Sequence, residues 1–103
     1  MKLTIGIILF IGTTALAYAG AAEGKTVYTA KCQACHNTNG EGKPAIAKMF
    51  NVTMAPLASK EIQAHSDADL KKGITAGKGK MKPVTGLTAA QLDDVVAYVR
   101  TLK

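Results

Sequence analysis

The sequence predicts an all-α domain of three to four helices joined by long connections. Three observations carry that reading. Apolar residues recur at helical spacing in three separate segments, the later two opened by residues that cap helix N-termini. No run alternates apolar and polar residues as a half-buried strand would, and no Asn-Gly or Asp-Gly turn joins two such runs. Between the first two helical segments lies a stretch at 37–65 rich in Gly, Pro, Asn and Lys, long enough to be out of place in a small domain unless it wraps something.

The chain opens with Lys2 and then carries no charge from Leu3 through Ala22. One cation, an apolar run and the small-x-small ending Ala17, Tyr18, Ala19 read as a signal peptide at 1–19, cleaved after Ala19. A retained membrane anchor is the competing reading, since a run of that length spans a bilayer. Thr13, Thr14 and several glycines weigh against it. The mature chain is then one domain, 20–103.

The first helical segment, around Glu23 to Cys35, spaces Val27, Tyr28, Cys32 and Cys35 at helical intervals. The second starts at Ser66, an N-cap with Asp69 three residues on; Leu70 and Ile74 share a face, and Gly77 ends it. The third has Thr88 as N-cap and Gln91 at the capping-box position. Leu92, Val95, Val96, Val99 and Leu102 form its apolar stripe, while Asp93, Asp94 and Arg100 are expected to face away.

The mature part is lean in core-forming residues. It has no Trp, a single Phe at Phe50, and two tyrosines, Tyr28 and Tyr98. A domain this small and this poor in large side chains usually needs a staple, a metal or a bound group to stand. Charge is positive: without Lys2 the formal net value falls by one from the +6 of the whole chain. Basic and aromatic residues do not interleave, which argues against nucleic acid. An acidic protein surface or anionic lipid suits a positive exported protein better.

Both cysteines sit in Cys32-Gln33-Ala34-Cys35-His36. A disulfide between residues three apart closes a ring too small to constrain the unfolded chain much. A thioredoxin-like redox pair needs a βαβ setting that is missing here. Zinc wants four ligands, and beyond this motif only His65 remains as a good one. The spacing fits c-type haem attachment. Two thiols one helical turn apart add to two vinyl groups, and the next residue, His36, supplies an imidazole to the iron. The haem also provides the apolar mass that the chain lacks.

Four residues compete for the second axial position. Met49, beside Phe50, reads as core. Met54 lies in a loop, "NVTMAPLAS", that suits a pocket wall. His65, just before the Ser66 cap, reads as a solvated surface residue. Met81 sits in "GKGKMKPVTG", where Gly77 and Gly79 allow unusual backbone angles and Pro83 stiffens the chain. Lysines flank it on both sides, so it has no periodic apolar face to join. Met81 is the expected ligand.

The segments "GKTVYTAKCQACH", "GKMKP" and "LDDVVAYVRTL" together resemble the class I monohaem c-type cytochromes over about residues 23–103. The resemblance implies the cytochrome c fold, with long loops wrapped round one covalently attached haem c. It implies thioether bonds from Cys32 and Cys35, His36 as proximal ligand and Met81 as distal ligand. Gly24 and Tyr28 would pack against the last helix near Tyr98, and the Pro44 carbonyl would accept a hydrogen bond from the His36 ring. Two departures stand out: no Trp is present for a haem propionate, and Lys82 separates Met81 from Pro83.

The expected function is that of a monomeric, periplasmic one-electron carrier, not an enzyme. Its redox partners are expected to present acidic docking surfaces, drawn by Lys78, Lys80 and Lys82. Membrane contact is expected to be transient, or through an uncleaved leader. A haem c module of a larger redox complex and a peroxidase-like haem enzyme are the alternatives.

Overall fold

A computed structural model describes residues 20–103 and Gly6. The leader reading at 1–19 lies outside the described residues, Gly6 excepted. Six helices follow in order: α1 (Ala21–Lys31), α2 (Gln33–His36), α3 (Pro44–Phe50), α4 (Lys60–Gln63), α5 (Asp67–Ala76) and α6 (Ala89–Arg100). Among the described residues the only β pairing is an isolated bridge between Lys78 and Met81.

The three expected helices are present, and their ends follow from their residues. At α5, the Ser66 hydroxyl accepts from the Asp69 amide at 3.1 Å. At α6 the capping box is complete: Thr88 Oγ1 accepts from the Gln91 amide at 3.1 Å, and Gln91 Oε1 accepts from the Thr88 amide at 2.9 Å. The first segment breaks earlier than expected. α1 stops at Lys31, Cys32 takes a flattened conformation at φ −117°, and the single turn of α2 carries the rest of the motif.

The stretch 37–65 is less loop-like than its composition suggests. Pro44 opens α3 at the first helical position, where its missing N–H costs nothing, and Asn51 ends that helix in the left-handed region at φ 51°. Ser59 caps α4 by accepting from the Ile62 amide.

α1 crosses α6, and the contact needs a glycine. A Cβ on Gly24 would collide with the Asp94 carbonyl and lie 2.9 Å from Tyr98 Cβ. One turn on, the Tyr28 and Tyr98 rings meet at 5.2 Å between centroids, tilted by 55°. Among the described residues, Tyr28, Val95, Val96 and Val99 are the buried apolar side chains. Each buried valine contributes roughly 1.5–2 kcal/mol, so this helix pair is the stable part of a thin core. The ends of the predicted stripe, Leu92 and Leu102, are half-buried.

Two residues expected to face away do not. Asp94 is half-buried and lies against Gly20. Arg100 turns back across the molecule. Its guanidinium donates to the Gln63 carbonyl at 2.9 Å, the His65 carbonyl at 2.6 Å and Asp67 Oδ1 at 2.8 Å. Gln63 completes this clasp by donating to the carbonyls of Leu57 at 2.9 Å and Val99 at 3.0 Å. A Lys71–Asp93 ion pair joins α5 to α6. None of the described helices is long and apolar enough to cross a membrane.

Candidate cofactor site

The clasp ties segment 57–65 to the end of α6, and a cavity of about 1100 Å³ opens between that segment and the core. Tyr28, Val95, Val96 and Val99 form its floor, so the buried face of the helix pair continues into the cavity wall. Pockets that take small ligands run to about 1000 Å³. This one is large beside the core that frames it.

Cys32, Cys35 and His36 line one wall. The turn that carries them is closed by backbone bonds from the Cys35 amide at 3.2 Å and the His36 amide at 3.0 Å to the Cys32 carbonyl. Both thiols are free: Cys32 is half-buried and Cys35 exposed. Burial pushes the Cys32 thiol up and the His36 imidazole down, so both favour their neutral forms. Neutral imidazole is the form that binds a metal. His36 Nδ1 is buried without a hydrogen-bond partner.

Tyr28 supports this wall from behind. Its hydroxyl donates to the Asn37 carbonyl, the residue after the motif. Burial first, then the neighbouring Cys32 and Tyr98, push its phenol up to about 12.

Met81 reaches the same cavity from a tight loop. The amides and carbonyls of Lys78 and Met81 pair reciprocally at 3.0 and 2.9 Å, and Gly79 turns between them at φ 56°. Gly77 is also required. At φ 77° its Cβ would lie 2.6 Å from the Met81 carbonyl oxygen and 3.0 Å from Pro83. The Val84 amide then bonds the Ile74 carbonyl at 2.8 Å, pinning the far end of the loop to α5.

Other expected positions fall differently. Met54 is half-buried and lines the large cavity, and also a neighbouring one of about 180 Å³. Pro44 lines only the smaller one. No hydrogen bond joins the His36 ring to the Pro44 carbonyl: His36 Nδ1 is without a partner, and Pro44 stands at the first position of α3. Instead, the amides of Gly42 and Lys43 bond the carbonyls of His36 and Cys35 at 2.9 and 3.0 Å.

Met49 is a correction: it is 66% exposed, on the outer face of α3, and not core. Phe50, its neighbour, reaches the cavity edge. His65 stands on the rim, 3.9 Å from Asp69. Gln63 and Arg100, which hold the cavity wall, carried no chemical signal in the sequence. A helical-wheel reading of α6 cannot see a partner from 57–67.

These donors fit one kind of guest. Paired thiols on a single turn, a neutral imidazole with one buried unpartnered nitrogen, and a thioether all border an apolar cavity, which suits an iron macrocycle bonded to the chain. No group of three or more His, Cys, Asp and Glu could hold a bare metal ion among the described residues, which leaves zinc without a ligand set. Fold and site therefore define a c-type haem protein.

Comparison with known proteins agrees. The cytochrome c family profile matches residues 21–103. The chain is 33% identical to cytochrome c-554(547) of Halothiobacillus neapolitanus, covering 81% of this chain and 97% of that one. It is 36% identical to cytochrome c6 of a Synechocystis strain, with 92% and 75% covered. It is 34% identical to cytochrome c-555 of Chlorobaculum tepidum, with 92% and 87% covered. No solved structure gives a significant match. The chain belongs to the cytochrome c family. Its cofactor is covalently attached haem c, and it transfers electrons.

Proposed function

We propose that Cys32 and Cys35 hold the haem through thioether bonds, that His36 and Met81 are its axial ligands, and that the processed chain carries single electrons between periplasmic partners. The observation that carries this reading is the convergence of all four side chains on one apolar cavity. The bound haem supplies a one-electron ferric–ferrous couple, and a thioether ligand raises its potential by favouring the ferrous form. The chain's part is to bind, orient and exclude water. Tyr28 and the three α6 valines present an apolar floor, the clasp of Gln63 and Arg100 holds the opposite wall, and the pinned 77–84 loop fixes the Met81 thioether. With His36 and Met81 both held to the iron, no coordination site would be left for a substrate, which favours a carrier over an enzyme.

The visible spectrum of the purified holoprotein beside Met81→Ala tests the ligand assignment. The weak methionine–iron band should be present in the parent and absent from the variant, with a lower reduction potential. An unchanged band in Met81→Ala would move the assignment to Met54.

Lys78, Lys80 and Lys82 are exposed around the cavity mouth, a charge arrangement that suits an acidic partner. Steering of this kind raises association rates by about 10-fold or more at low salt. Lys78→Glu with Lys80→Glu should slow reduction by an acidic partner by about that factor, and the difference should vanish as salt rises. Equal rates at low salt would remove these lysines from docking.

A haem c module within a larger complex is the second reading. It is favoured by 32% identity over 87 residues to the cbb3-type cytochrome c oxidase subunit CcoP of Azospirillum brasilense, of which the match covers 29%. Copurification with a fixed subunit would select it.

A further inference from the structure

Of the acidic side chains in the described residues, Asp94 is the one that is not exposed. It joins none of the ion pairs there: Asp67 pairs with Arg100, Asp69 with His65 and Asp93 with Lys71. Its carboxylate instead lies against the backbone of Gly20, at the start of α1. A Cβ on Gly20 would collide with Asp94 Oδ1 and sit 3.1 Å from its Cγ. Ordinary bond lengths then put Oδ1 within about 5 Å of the Gly20 nitrogen.

Gly20 is also the residue that cleavage after Ala19 would leave at the N-terminus. We propose that Asp94 receives the α-ammonium created by that cleavage, forming an ion pair that exists only in the processed protein. The proposal rests on the cleavage reading given above. A new positive charge at the start of a helix is opposed by the helix dipole. Here Gly20 has no side chain to cap α1, and no side chain caps it by hydrogen bonding. A carboxylate delivered from α6 offsets both the dipole and the new charge, and it does so across the α1–α6 contact that frames the haem cavity. A glycine is required at 20 because its backbone at φ 88° and its missing Cβ leave room for Asp94.

The test is a four-way comparison of the mature holoprotein. Parent and Asp94→Asn are each measured with a free α-amine and after selective acetylation of that amine. Acetylation should lower the thermal midpoint of the parent by about 3 °C, the scale of a partly exposed ion pair in a domain this small, and leave that of Asp94→Asn unmoved. Intact mass fixes the native N-terminus in the same preparation. A start other than Gly20 overturns the cleavage reading and the proposal with it. A Gly20 start with equal shifts in parent and variant, or with none in either, overturns the proposal alone.

Discussion

A chain carrying Cys32→Ser and Cys35→Ser, made in a host that matures c-type cytochromes, is expected to emerge colourless, at the mass of the bare polypeptide and without a cooperative unfolding transition. The first two outcomes follow from removing both attachment points. The third follows from the core. Only Tyr28, Val95, Val96 and Val99 are buried apolar side chains among the described residues, and they face a cavity of about 1100 Å³. An unfilled core cavity of even 100 Å³ costs about 2 kcal/mol, against a total stability of about 5–15 kcal/mol for a typical domain. A space roughly ten times larger, left to water, exposes the floor that joins α1 to α6. Circular dichroism during thermal melting reads the outcome. A sharp transition in the double variant would mean that the polypeptide completes its own core and that the haem is a passenger.

The second large effect lies where α1 crosses α6. Gly24→Leu is expected to destabilise the holoprotein by about 3 kcal/mol or more, because the atoms in the way are the Asp94 carbonyl and Tyr98 Cβ, neither of which can swing aside. Gly24→Ala supplies the decisive sign. Helix propensity alone favours Ala over Gly by about 1 kcal/mol in a helix interior. The steric argument predicts the reverse here, a net loss of about 1–2 kcal/mol. Denaturant midpoints measure both, and a stabilised Gly24→Ala would show that the helices are free to move apart.

Much of the site was legible because its chemistry is local in the chain. Cys32, Cys35 and His36 occupy one turn, and Met81 stands out as an apolar residue among lysines in a Gly/Pro loop. The caps of α5 and α6 were equally readable, since Ser66, Thr88 and Gln91 act on amides three residues away. The helices α3 and α4 were not read. Their local cues, Pro44 at the first position of α3 and the Ser59 cap of α4, were present, but at seven and four residues they are too short to show a periodic apolar face. Asp94 and Arg100 were assigned outward because a helical wheel sorts residues by a single buried face. α6 has further neighbours, Gly20 at one end and the 57–67 wall at the other. Pro44 is in place at the start of α3, with no bond from the His36 ring to its carbonyl.

The clasp at Arg100 also sets an order of loss. Leu57, Ile62 and His65 face the cavity without a buried side chain of their own, and their backbone is tied to the domain by the last turn of α6 and by the Leu57 amide on the Gly40 carbonyl. That wall borrows its rigidity from its neighbours. Under stress it opens as a local unit: it would come away like a flap, letting water onto the floor and so loosening the helical frame behind it.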